Sequence, residues 1–215
     1  MSGSFLKVIT RGVQALAFYK SKDILNFESL EYDSVVFPKD IALRAIAEKR
    51  GETSLEFMNV WCNGYKFSWT RQRTSVARLG LYGNYINDEK TDIAHFKLVP
   101  VDLSFSVWWW SRDFDKLLQV MERFMFWQHR NPNLELKIND VYPVEFDMLF
   151  RGVSDESRIE ELFDKGPLFV IRGDIDVEAW LFESFSLKTV LKIILNVYDN
   201  TFTPPELIYT ETFEL

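Results

Sequence analysis

Two pairs of closely spaced acids are the residues whose types and spacing best fit chemistry. Asp113 and Asp115 open a predicted helix, where carboxylates favour the positive end of the helix dipole. Asp174 and Asp176 alternate along a predicted strand, so both carboxylates project from one face, as metal-assisted phosphoryl chemistry requires. Because no third acid stands at a recognisable spacing, we expect these pairs to cap a helix and to line a strand without a metal.

Other enzyme signatures are missing from the sequence. It contains no nucleophile elbow, phosphate-binding loop, dinucleotide fingerprint or zinc-protease motif. Cys62 is the only cysteine, and His95 and His129 are the only histidines, which excludes intramolecular disulfides and Cys/His zinc sites. We therefore expect no catalytic residue, no metal and no cofactor. No apolar run approaches the roughly 18 residues of a membrane span, and we expect no secretion signal.

A basic and aromatic stretch offers a second kind of site. Stacking rings combined with cations are typical of single-stranded nucleic-acid sites. The net charge of −7 disfavours phosphate binding, and strand alternation would turn many of the rings inward. Nucleic-acid binding therefore stays an alternative, and we also treat the three arginines as candidates for a subunit or partner interface. The residues concerned are Tyr65, Lys66, Trp69, Arg71, Arg73 and Arg78.

Aromatic residues are unusually frequent, with seven Trp, eight Tyr and 19 Phe among 215 residues. Rings of this size are favoured both in cores and at protein interfaces, so the composition hints at assembly. Trp108, Trp109 and Trp110 are consecutive in a predicted strand, and consecutive strand residues point to opposite faces. Either one ring faces outward as an interface anchor, or the chain itself covers both faces of the strand.

The length fits one domain, and the predicted order between His95 and Phe182 is strand, helix, strand, strand, helix, strand. This order predicts an α+β fold: a mixed, mainly antiparallel β-sheet with one long and one or two short helices packed on it, plus extended terminal arms. We expect an N-terminal arm over residues 1–37, one domain over 38–198 and a C-terminal arm over 199–215. In the last arm, Pro204, Pro205 and Phe213 are further interface candidates.

Local patterns predict the individual elements. Alternating apolar residues on both sides of Cys62–Gly64 predict a β-hairpin, and the glycines and asparagines from Gly80 predict a loop. A long strand runs from His95 to Trp110, and Pro100 marks an edge or a bulge within it. Further expectations are a helix from Pro38, a helix capped by Ser111, a short helix capped by Ser154, a bulge at Gly173 and a last strand from Leu187.

Residues 93–182 resemble the tail-completion proteins of contractile-tailed bacteriophages, in particular the sheath-terminator or neck group. In that family an aromatic strand passes into a helix of the type [S/T]-R-x-x-D-x-x-x-Q-[I/V]-x-E, followed by a hairpin and a paired strand with a Trp near its end. Comparable places are occupied here by Ser111, Arg112, Asp115, Gln119, Val120, Glu122 and Trp180.

The resemblance implies a structural virion protein without enzymatic activity. Such a protein forms a ring, expected to be a homo-hexamer, that terminates the tail sheath or tube and joins it to the neck. It is assembled in the host cytoplasm, and DNA passes through its lumen without sequence-specific binding. A baseplate or head-to-tail connector component is the alternative within this class.

Overall fold

The structure is a computed structural model, and its description covers residues 5–25, 56–72, 82–86, 93–128, 133–138, 142–157, 167–184, 192–199 and 203–214. Three helices lie in these ranges: α1 (Phe5–Leu25), α2 (Trp69–Gln72) and α3 (Phe114–Gln128). Eight strands make up the sheet: β1 (Glu56–Phe67), β2 (Tyr82–Ile86), β3 (Ile93–Ser111), β4 (Leu134–Ile138), β5 (Tyr142–Asp155), β6 (Phe169–Ser184), β7 (Lys192–Asp199) and β8 (Glu206–Glu214).

All eight strands belong to one antiparallel sheet in the order β1-β3-β6-β5-β4-β7-β8, and β2 pairs with β3 beside β1. The chain therefore has a mixed fold of mainly antiparallel sheet with a few helices. Helix α1 contacts β1 near one end of the sheet and β7 and β8 at the other end. Because one helix reaches both ends, the sheet must curve around it. We call the face toward α1 the inner face and the opposite one the outer face.

The core lies between the inner face and the two long helices. Along β3, the inner-facing residues Val101, Leu103, Phe105, Val107 and Trp109 are all buried, as period-two alternation requires. Helix α3 adds Leu117, Val120 and Phe124, which recur at three and four residues on its inner side. Phe124 packs edge-on against Trp109, with ring centroids 4.4 Å apart. None of the described helices is both long and apolar enough to cross a membrane.

The expected terminal arms are not confirmed. Residues Phe5–Leu25, assigned to an arm, form α1, and its side chains from Val8 to Phe18 lie mostly in the core. The helix carries buried residues around much of its circumference, which is why no single apolar stripe marked it in the sequence. Residues Glu206–Glu214, assigned to the other arm, form β8 and pair with β7.

Several local predictions were wrong. The expected hairpin at Cys62–Gly64 is a bulge instead, since β1 pairs with β3 on both sides of it. Part of the expected loop after Gly80 forms β2, because pairing with β3 outweighs the weak strand preference of Gly83 and Asn84. The order strand, helix, strand, strand is present as β3, α3, β4 and β5, with β3 and β4 running antiparallel.

Other predictions agree with the structure or lie outside its description. The strand through Pro100 is continuous as β3, and Pro100 sits where pairing with β1 ends and pairing with β2 begins. The last predicted strand is present as β7. One further prediction was wrong: Ser154, expected to cap a short helix, lies in β5 opposite Arg172. The predicted helix from Pro38 lies outside the described residues, as do Ile159, Leu162 and Phe163 of the predicted short helix, His129 and the side chain of His95.

Gly173 does not form the predicted bulge. It instead allows the rings of Phe150 and Trp109 to pack closely against the backbone of β6. The bulge lies opposite, in β5 between Phe150 and Gly152, while the pairing of Gly173 with Val107 is regular. A Cβ on Gly173 would lie 2.8 Å from a ring atom of Phe150 and 2.8 Å from one of Trp109. Both rings are buried, so they have little room to move aside.

We expect Gly173→Ala to lower the free energy of unfolding by about 1–3 kcal/mol, because the added methyl group overpacks two buried rings. Gly152→Ala in the neighbouring strand is the matched control, since nothing lies within 4 Å of its Cβ position. Urea denaturation of both variants measures the difference. Equal stability of the two variants would contradict this packing.

Candidate interface

The three consecutive tryptophans do not supply an exposed anchor. Trp109 faces inward, Trp108 and Trp110 face outward, and all three are buried within the chain. Each indole N–H has an acceptor: Glu156 at 3.2 Å for Trp108, Ser21 at 2.9 Å for Trp109 and Asn59 at 2.9 Å for Trp110. The interface expected here required an exposed ring, so this expectation was wrong. Both faces of the strand are covered by the chain itself.

Asp174 and Asp176 of β6 lie on the outer face together, as their alternation predicted, and they bond to arginine and serine side chains. Asp174 accepts hydrogen bonds from Ser106 at 2.6 Å and from Arg172 at 2.8 Å. Asp176 accepts bonds from Ser104 at 2.9 Å and from Arg151 at 2.7 Å. Within the described ranges, no group of three or more His, Cys, Asp or Glu residues could hold a metal ion.

Arg172 joins this network to the outer tryptophan. It lies 3.3 Å from Glu156 and 2.8 Å from Asp174, and its guanidinium carbon is 5.8 Å from the centroid of the Trp108 ring. Burial by itself lowers the pKa of Arg172, but hydrogen bonds and attraction to Asp174 and Glu156 raise the pKa by more, so the net direction is upward. These contacts brace the sheet and present no open reactive group.

Exposed aromatic side chains occur instead at the end of β1 and in α2. Tyr65 is 69% exposed and Trp69 is 66% exposed, and the exposed Lys66 lies between them in the chain. Phe67 supports Trp69 from beneath in an edge-on contact with ring centroids 4.6 Å apart. We call Tyr65, Lys66 and Trp69 the basic edge, because Tyr65 and Lys66 point to opposite faces of β1, an end strand of the sheet, and Trp69 follows in α2.

Arg71 holds the basic edge in place. Its side chain is 16% exposed, and one terminal nitrogen donates to Asp102 at 2.7 Å and to the backbone oxygens of Val101 at 2.7 Å and Ala179 at 3.1 Å. The guanidinium carbon also lies 5.0 Å from the ring centroid of Trp180. Because these partners belong to β3 and β6, Arg71 fixes α2, and with it Trp69, to two central strands.

The remaining predicted interface residues are spread over the molecule. Pro204 and Pro205 are exposed and directly precede β8, whereas Phe213 is buried in the core opposite Ile193 and is not available to a partner. Arg73 and Arg78 lie outside the described residues. Of the seven candidates that the structure describes, only Arg71 lies at the basic edge, and there it acts through intramolecular contacts.

The strand-to-helix motif behind the family resemblance lies at the junction of β3 and α3. Asp113, and not Ser111, caps α3: its carboxylate accepts bonds from the backbone N–H groups of Asp115 at 3.0 Å and Lys116 at 3.3 Å. Ser111 instead accepts a bond from the backbone N–H of Asp113 at 2.9 Å. Of the other motif positions, Val120 is in the core, Gln119 and Glu122 are exposed, and Trp180 lies beneath Arg71.

Tyr65, Lys66 and Trp69 belong to the basic and aromatic stretch of the sequence, in which strand alternation predicted that many of the rings turn inward. The three side chains are exposed because β1 is an end strand and continues past the bulge at Cys62–Gly64. The turn-like composition of Cys62–Gly64 had predicted a hairpin there instead.

In comparisons with known proteins, neither a family model nor a curated protein sequence matched this chain. The basic edge is suited to protein or nucleic-acid contact, since it presents two exposed rings and an exposed cation at one end of the sheet.

We expect Arg71→Ala to lower the free energy of unfolding by about 2 kcal/mol, because Asp102 and the ring of Trp180 lose a shared partner. Arg71→Lys should recover only part of this loss, since an ammonium group cannot reproduce the planar fork. Arg151→Ala is the matched control: Arg151 is 58% exposed and should cost less than about 1 kcal/mol. Chemical denaturation tests all three variants, and equal losses for Arg71→Ala and Arg151→Ala would contradict the role of Arg71.

Proposed function

We propose that this chain is a structural virion protein that forms a ring, terminates the tail of a contractile-tailed bacteriophage and joins it to the neck. A hexamer is the expected ring. The proposal assigns the chain no catalytic activity, and its site of action is the assembled virion.

The observation that carries the proposal is the exposed and braced aromatic pair of the basic edge. Rigid aromatic anchors at the surface are typical of binding hot spots, because little side-chain entropy is lost when a partner docks. Arg71 supplies that rigidity by connecting α2 to β3 and β6. The strand-to-helix resemblance to tail-completion proteins adds the identity of the assembly.

Single-stranded nucleic-acid binding is the second candidate, favoured by the exposed Lys66 and by the two exposed rings that flank it in the chain. Bases would stack on Tyr65 and Trp69, and the phosphate contacts of Lys66 would make the binding salt-sensitive, since such contacts release counterions. Fluorescence anisotropy of a labelled single-stranded oligonucleotide at rising salt separates the candidates. Strong, salt-sensitive binding would favour this second function, whereas the ring proposal predicts none.

We expect the double variant Tyr65→Ala/Trp69→Ala to lose binding to contractile tails that were assembled without this protein, because its anchors are gone. Electron microscopy of tails mixed with purified protein should show added density at the head-proximal end for the native chain and none for this variant. Phe126→Ala is the matched control, since Phe126 is 64% exposed on α3 and far from the basic edge in the chain. Failure of the native protein to bind such tails would contradict the proposed function.

A further inference from the structure

The two end regions of the sheet carry opposite charge. Residues 56–87, which contain β1 and β2, include four bases and one acid, Glu56, whereas residues 192–215, which contain β7 and β8, include four acids and one base, Lys192. In the sheet order, β1 and β8 are the two ends. The bases are Lys66, Arg71, Arg73 and Arg78, and the acids are Asp199, Glu206, Glu211 and Glu214.

Some of these charges are already matched within the chain. Arg71 lies 2.7 Å from Asp102, and Glu211 lies 3.7 Å from Arg11. Lys66 and Glu206 are both exposed and have no role in these two ion pairs. Beside Glu206, Leu207 is 50% exposed. We call the surface formed by Glu206 and Leu207 the acidic edge.

The basic and acidic edges lie at the same level along the strands. Lys66 pairs with Asp102 of β3, which pairs with Glu178 of β6, which pairs with Asp147 of β5. Phe146, next to Asp147, pairs with Leu134 of β4, which pairs with Val197 of β7. The neighbour of Val197, Tyr198, pairs with Leu207 of β8. One row of the sheet therefore runs from Lys66 to Leu207.

We propose that the acidic edge of one copy docks on the basic edge of the next copy, head to tail. The proposal rests on the proposed ring-forming function and names the surfaces that would form the ring. Glu206 of one copy would pair with Lys66 of the next, and the contact would also cover part of the exposed side chains of Leu207, Tyr65 and Trp69. A second copy is the occupant that the charges favour, because each edge finds its opposite on the same chain.

The symmetry of the contact decides whether the assembly is a ring or a filament. A head-to-tail contact closes into a ring when successive copies are related by rotation, and builds an open filament when each copy is also displaced along the axis. The proposed ring therefore requires that successive copies be related by rotation alone.

Charge reversal tests the contact. Sedimentation velocity of the full chain at low ionic strength should show assembly for the native protein and a dissociation constant at least about tenfold higher for Lys66→Glu and for Glu206→Lys. An equimolar mixture of the two variants should assemble again, since each altered edge then meets an altered partner of opposite charge. This recovery separates a lost contact from misfolding. Added salt should weaken every one of these assemblies.

The matched controls are Glu122→Lys and Arg123→Glu, which reverse exposed charges on α3 and should assemble as the native protein does. A native protein that stays monomeric at low ionic strength would overturn the proposed contact, as would charge variants that assemble normally or fail to recover when mixed. Binding of the native protein to contractile tails is scored separately. If tails are bound while the charge variants assemble normally, the docking surfaces are wrong and the proposed function stands.

Discussion

The rest of the structure depends on the burial of α1 against the inner face of the sheet. This helix contacts β1 near one end of the sheet and β7 and β8 at the other, so the sheet curves around it. Gly12 allows the close approach: a Cβ there would lie 2.8 Å from a methyl group of Leu134 and 2.9 Å from one of Leu195. Because α1 occupies the space inside the curve, β1 and β8 remain separate ends of the sheet.

The outer face is stabilised differently from the inner one. On the outer face, serines, arginines and acidic residues of β3, β5 and β6 form hydrogen bonds with one another. The outward-facing Trp108 and Trp110 donate hydrogen bonds to Glu156 and Asn59. Buried polar groups are costly without partners, so this network leaves little free chemistry on the face. Among the described residues, large exposed apolar side chains lie at the basic and acidic edges, on α3 and singly on two strands; they are Tyr65, Trp69, Leu207, Leu118, Met125, Phe126, Trp61 and Leu149.

The sequence predicted elements whose periodicity is regular and missed those fixed by distant contacts. Alternation revealed β3, and a three-and-four repeat revealed α3. Helix α1 was not predicted because its buried residues lie around much of its circumference and form no single apolar stripe. Strand β2 was not predicted because its residues have weak strand preference and form a strand only by pairing with β3. At the candidate site, the rings and cations were visible in the sequence. The bracing by Arg71 was not, because Val101 and Ala179 lie 30 and 108 residues away along the chain.

Cross-linking across the proposed contact tests the head-to-tail assembly most directly. In a chain with Cys62→Ser, the substitutions Lys66→Cys and Glu206→Cys place one thiol on each edge, with no other cysteine present. Head-to-tail docking predicts that oxidation produces a ladder of disulfide-linked chains that ends at one closed ring. It also predicts no ladder when either edge cysteine is left out. Chains that remain unlinked between copies, or links that form with only one of the two cysteines present, would contradict it.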